Sequence, residues 1–145
     1  RVKIVVCLEA DGEKRQKERQ MLKNARMFGS FSVNDLKKAR EFYGETLGVP
    51  VEAVDGMPVL SVGGEGGVTI YEKPDHIPAT FTVLNFRVDD LGSTMKELRG
   101  RDVRFEVYDM EGLKTDAAGV LTHGGMSIAW FKDPAGNMLS VLEEK

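Results

Sequence analysis

The chain says the same thing twice. The segment FSVNDLKKAREFYGETLGVPVE, from Phe31, is echoed by FRVDDLGSTMKELRGRDVRFE, from Phe86. Phe31 matches Phe86, Val33 matches Val88, Asp35 matches Asp90 and Leu36 matches Leu91. After one residue of slippage Val49 matches Val103 and Glu52 matches Glu106. Each copy reads as a strand, a capped helix, a short turn and further strands. A unit present only twice cannot build a solenoid, which needs about three or more repeats. Two similar halves must instead pack into one body, and the cleft between them is where a ligand would go. A chain of 145 residues suits a single domain, which typically runs about 100–150 residues.

Residues 1–26 look unlike the rest. Val2 to Leu8 is a short apolar run, followed by the charge-dense DGEKRQKERQMLKNAR. The apolar run is too short and wrongly flanked for a secretory signal. The segment reads either as an N-terminal extension left by expression or upstream read-through, with Met21 or Met27 as the natural start, or as an extra edge strand followed by a solvated helix. The body, residues 27–145, divides into a first module over 27–72, a joint KPDHIPA over 73–79 and a second module over 80–145.

In the first module MFGSFSV has strand character, and Asn34 or Asp35 caps the next helix. Leu36, Ala39, Phe42, Tyr43 and Leu47 give that helix one apolar face. Gly48 ends it by accepting left-handed geometry. Strands are expected at Val49–Val54, Val59–Val62 and Val68–Glu72. The second module repeats the scheme: strand Thr80–Val88, cap Asp89 or Asp90, helix Leu91–Leu98 and strand Val103–Tyr108. A long loop, Asp109–Gly125, follows, then strands Met126–Phe131 and Met138–Leu142 joined by KDPAGN.

A net charge of −3 argues against nucleic acid, whose binders carry a basic stripe. No segment approaches the roughly 18 apolar residues of a membrane span. The single cysteine, Cys7, cannot form an internal disulfide, which suits a reducing cytoplasm.

FSVNDLKKAREFYGETLG, IPATFTVLNFRVDDL and AWFKDPAGNMLSVLEE together resemble the vicinal oxygen chelate superfamily, which has the glyoxalase/bleomycin-resistance fold. The resemblance implies an α+β fold: paired βαβββ modules forming curled mixed sheets around a pocket, usually completed in a homodimer. Metal-dependent enzymes of that family place four ligands on strands, His or Gln on the first strand of a half and Glu on its last. Such ligands hold a divalent ion with open positions for substrate oxygens. Counting from the Asp caps and the DP-x-G turn puts these positions at Phe28, Thr69, Val83 and Ser140. None is a good metal ligand. The two histidines, His76 in the joint and His123 in a Gly-flanked loop, read as turn residues. No metal and no cofactor is expected.

Strand alternation sorts the faces. Phe31, Val33, Leu84, Phe86 and Val88 should pack beneath the helices. The opposite face then carries Phe28, Ser30 and Ser32 from the first half, with Thr69 and Tyr71. From the second half it carries Phe81, Val83, Asn85 and Arg87, with Met138 and Ser140. Trp130 can either join that pocket or fill the core. Arg87 either heads the polar end of the pocket or pairs with a carboxylate such as Glu143. No serine lies on a nucleophile-elbow sequence. The expected function is metal-free binding of a small organic ligand, anionic or aromatic, by a cytoplasmic homodimer with no nucleic-acid or membrane partner. The alternatives are a metal-dependent lyase, isomerase or dioxygenase that gathers His76, His123, Glu72 or Asp109; a non-metal enzyme using Arg87, Tyr71 or Tyr108; and a partner-binding module.

Overall fold

The computed structural model describes residues 22–145. The expectations for residues 1–21 lie outside the described residues. The first half runs β1 (Gly29–Val33), α1 (Leu36–Glu41), β2 (Val51–Ala53), β3 (Val59–Val62) and β4 (Val68–Glu72). The second runs β5 (Thr82–Arg87), α2 (Leu91–Gly100), a small hairpin β6 (Asp109–Met110) and β7 (Leu113–Lys114), then β8 (Val120–His123), β9 (Met126–Lys132) and β10 (Met138–Glu144). Two four-stranded sheets result, ordered β1-β4-β3-β2 and β5-β10-β9-β8. In each, the first strand lies parallel to the last and the remaining pairs are antiparallel. This is the paired βαβββ arrangement.

The duplication extends to single hydrogen bonds. Asp35 caps α1 by accepting from the Lys38 N–H at 3.0 Å, and Asp90 caps α2 by accepting from the Ser93 N–H. The last strand of each half then adds a carboxylate to the same helix end. Glu72 Oε2 accepts from the Leu36 N–H, and Glu143 Oε2 accepts from the Leu91 N–H, both at 2.9 Å. A helix start exposes unpaired N–H groups and a partial positive charge, so carboxylates stabilise it. Each cap therefore ties a helix to the strand that closes its sheet.

The one-residue slippage in the repeat has a structural counterpart. α1 does not continue as a regular helix but passes into a π-turn over Phe42–Thr46. The closing bond from Val49 N–H reaches back to Tyr43 O, six residues earlier, whereas that from Val103 reaches Leu98 O, five residues earlier. A wider turn absorbs one extra residue without shifting the apolar face. Both helices end on a left-handed residue, Gly48 at φ 71° and Asp102 at φ 65°.

Two expectations are corrected in the second half. Val103–Tyr108 is not a strand: it makes one isolated bridge, Phe105 to Phe131, and the Glu106 N–H donates to Trp130 O at 2.8 Å. The segment after it, expected as loop, holds the β6–β7 hairpin and β8. The outer flank of β9 is therefore shared, with β8 covering its first part and Phe105–Glu106 its second.

Both halves build one core. Phe31, Val33, Tyr43, Ile70, Met95, Phe131 and Leu139 belong to a single buried cluster. Tyr43 lies at its centre, fully buried, and its hydroxyl donates to Asp133 Oδ2 at 2.8 Å. Asp133 also accepts from the Ala135 N–H, the Asn137 N–H and Asn137 Nδ2. Asn137 Nδ2 donates onward to Ser32 O at 2.9 Å. A helix of the first half, the DP-x-G turn of the second and β1 are thus joined through buried polar groups. In the same turn Gly136 has φ 84°, and a Cβ there would meet Pro78 of the joint at 2.9 Å.

Removing the Tyr43 hydroxyl leaves Asp133 short of a donor in a buried place. Tyr43→Phe is expected to lower unfolding free energy by about 1.5–3 kcal/mol, the range for hydrogen bonds to charged groups, as read from urea unfolding. Burial, with the Asp133 carboxylate adding, pushes the Tyr43 phenol far above its usual range. The folded protein therefore keeps a proton that the unfolded chain releases near pH ~10. Stability from this group is complete below that pH and is lost above it. Tyr43→Phe should flatten the alkaline fall in stability, measured by urea titrations on either side of that pH.

Candidate functional site

β1 presents Phe31 and Val33 to the core and turns Ser30 and Ser32 to the other face. Cross-strand partners share a face, so the register carries this split across the sheet. Ser30 lies beside Thr69, and Thr69 beside Ser61; Ser32 lies beside Tyr71. In the second sheet Asn85 lies beside Ser140, and Ser140 beside Trp130. One half offers hydroxyls and a tyrosine, and the other an amide, a serine and an indole.

These residues are not all brought together. A cleft of about 310 Å³ opens where the halves meet. Ser30, Ser32 and Tyr71 form its first-half wall, Phe81, Thr82 and Val83 its second-half wall, and Ile77 of the joint its rim. Phe28 and Thr69 belong instead to a separate depression of about 230 Å³ beside the glycine-rich β3–β4 turn.

Val83 and Thr82 depart from simple alternation. Thr82 pairs with Met138 and Leu84 with Leu139, so the register shifts and Val83 has no opposite residue. Such irregularities re-aim side chains. Thr82 Oγ1 accepts from Trp130 Nε1 at 3.1 Å, while Val83 packs partly on the core and partly on the cleft wall. Sequence alternation missed Thr82 because a bulge leaves no mark on the polar/apolar pattern. Trp130 lies on the pocket-side face, edge-on to Tyr108 with ring centres 5.8 Å apart. The Tyr108 hydroxyl donates to the Met138 sulfur at 3.6 Å. Burial, with Glu106 adding, raises the Tyr108 phenol, so it remains a neutral donor.

Two further residues, besides Phe28 and Thr69, stand differently from the expectation. Ser140 is fully buried, and its hydroxyl donates to Asn85 Oδ1, so it braces the sheet and does not touch the cleft. Arg87 is 72% exposed and pairs with Glu144 at 3.1 Å. The partner foreseen for it, Glu143, is occupied by the α2 cap and a 3.6 Å contact to Lys145. Arg87 therefore lies at the strand end in water, because β5 runs out beyond the cleft, and it does not head the polar end of the pocket.

Phe28 and Val83 are apolar, Thr69 is a lone hydroxyl, and Ser140 is committed to Asn85. Among the described residues no group of three or more His, Cys, Asp or Glu converges. Glu72 caps α1, and Asp109 pairs with Lys114 at 3.2 Å. His76 is also engaged: its Nδ1 lies 2.7 Å from Ser32 Oγ, and its Nε2 lies 3.1 Å from Ala135 O.

A family model for the Glyoxalase/Bleomycin resistance protein/Dioxygenase superfamily matches residues 28–141. The chain belongs to this superfamily. Solved structures agree on the fold. TnmS3, an antibiotic-binding protein from Streptomyces sp. CB03234, superposes with a TM-score of 0.63 at 24% identity, over 84% of this chain and 98% of that one. A glyoxalase/bleomycin resistance protein, also from Streptomyces sp. CB03234, gives 0.57 at 26% identity, over 79% and 98%. A superfamily member from Sphaerobacter thermophilus DSM 20745 gives 0.59 at 21%, over 82% and 98%. Among curated proteins none matches by sequence. In the described residues no helix is long and apolar enough to cross a membrane.

Because Ser140 braces Asn85 from a buried position, Ser140→Ala is expected to cost about 1 kcal/mol, the size of one neutral hydrogen bond. Thermal unfolding of the purified variant checks this.

Proposed function

We propose that the protein is a small-molecule binding member of its superfamily that holds an organic ligand without a metal ion. What supports this reading is the residue set that counting from the Asp caps and the DP-x-G turn puts at the family's four ligand positions: Phe28, just before β1, with Thr69, Val83 and Ser140. An ion polarising a substrate needs imidazole or carboxylate donors with positions left open, and these four supply neither. The cleft offers what simple binding needs. Apolar side chains stand around it, with Phe81 69% and Ile77 84% exposed, and the hydroxyls of Ser30, Ser32 and Tyr71 face them. Its volume falls near the lower end of the roughly 300–1,000 Å³ of ligand sites. The aromatic and aliphatic side chains around the cleft favour an aromatic ligand, and an antibiotic-binding protein shares the fold.

Exposed aromatic and aliphatic side chains at a cleft mouth are unfavourable in water. A second copy of the chain covering that mouth would remove them and enlarge the pocket, and two-fold dimers are the commonest soluble oligomers. The protein is therefore read as a homodimer.

Thermal-shift screening with polycyclic antibiotics and aromatic acids should find stabilising ligands. For a ligand at about 100 times its Kd the stabilisation is about 2.7 kcal/mol. Phe81→Ala should weaken such a ligand by roughly tenfold or more, since burying an aromatic side chain contributes about 1.5–3 kcal/mol. Reconstitution with zinc, nickel or iron followed by elemental analysis should give far less than one ion per chain; a stoichiometric ion would sink the metal-free reading. Sedimentation equilibrium should report a dimer, and a clean monomer near 16.0 kDa at tens of micromolar would count against the covered mouth.

A further inference from the structure

His76 meets Ser32 of the cleft wall, and its surroundings define its state. Ala135 O can only accept a hydrogen bond, so the nitrogen facing it, Nε2, carries the proton in the neutral ring. Nδ1 then has a free lone pair, and it lies 2.7 Å from Ser32 Oγ. The hydroxyl of Ser32 is therefore the donor, aimed at a basic nitrogen. Ser32 itself is held on β1 by the bond from Asn137 Nδ2 to its carbonyl. The residue that positions the imidazole sits on the DP-x-G turn, whose backbone is fixed by Asp133. Ser32 is only partly buried and forms part of the cleft wall.

A hydroxyl in hydrogen-bond reach of a base, with that base oriented by a third group, is the general arrangement of an activated nucleophile. We propose that Ser32 and His76 form a nucleophile–base pair that accepts an acyl group from an aryl ester bound in the cleft. Ser32 Oγ attacks the acyl carbon, and its proton passes to His76 Nδ1. The bond between the acyl carbon and the aryl oxygen breaks, and the aryl oxide leaves with the proton from the imidazolium or from water. The products are an ester on Ser32 and a free phenol. The Ala135 carbonyl assists because the imidazolium keeps its Nε2–H bond to it throughout. The aryl ring of the donor fits the side chains that flank the serine, Tyr71, Ile77 and Phe81. This chemistry does not depend on the non-covalent ligand of the cleft.

The test uses the full chain and p-nitrophenyl acetate. Release of p-nitrophenolate is followed by absorbance, and the protein by intact mass and peptide mapping. The expected result is one acetyl group per chain, on Ser32. Ser30, one pleat away on the same face, has no imidazole beside it and should stay unmodified in the same map. Ser32→Ala should abolish the adduct while His76 keeps its bond to Ala135. His76→Gln, which retains hydrogen-bonding groups but no base, should slow acylation roughly 100-fold, the usual size of general-base assistance. The map of the unaltered chain decides the matter even where His76→Gln fails to fold. Acetylation confined to lysines, equal labelling of Ser30 and Ser32, or an unchanged rate in folded His76→Gln would overturn the proposal.

Discussion

The hydrogen bond from Tyr43 to Asp133 is the interaction on which the rest depends. It joins the two halves through residues ninety apart in sequence. It is buried, where an unmatched partner is expensive. Asp133 also shapes its own turn by taking the Ala135 and Asn137 N–H groups. That turn supplies the amide that holds β1 and the carbonyl that holds His76. One carboxylate thus sets the docking of the halves, the edge of the cleft and the orientation of its imidazole.

The duplication explains why this junction has to be specific. Each half is a curled sheet with its own helix, and each helix start is pinned to its own last strand by Glu72 or Glu143. Such units are nearly self-sufficient in hydrogen bonding but not in apolar burial. Their shared core around Phe131 and Tyr43 supplies that burial without direction. Directional bonds through Asp133 select one docking among many. The π-turn absorbs one extra residue between Tyr43 and Val49, so Tyr43 keeps the position that Leu98 holds in the second half.

The site inherits its character from the same junction. The first half contributes Ser30, Ser32 and Tyr71, the second Phe81, Thr82 and Val83, and the joint Ile77. The paired positions Ser30–Thr69 and Asn85–Ser140 are related by the repeat, yet their fates differ. The second pair is joined by its own hydrogen bond, with Ser140 fully buried, whereas Ser30 stays open. Equivalent backbones therefore produce unlike surfaces, and the cleft is asymmetric.

By itself the sequence determined the repeat, each helix cap to within one residue, the left-handed Gly48, the strands β3 and β4, and which residues of β1 face the core. These follow from local rules: side-chain alternation, capping oxygen atoms and the freedom of glycine. Only the tertiary structure decided what those rules do not see. The shift at Val83 aimed Thr82 at Trp130, because a bulge is set by strand pairing and not by composition. Val103–Tyr108 lost most of its strand because β8 had already taken the first part of the β9 edge. Arg87 went to Glu144 at the sheet end because β5 carries it past the cleft. His76 met Ser32 because the joint folds back across β1, a contact between residues 44 apart in sequence that no local pattern encodes.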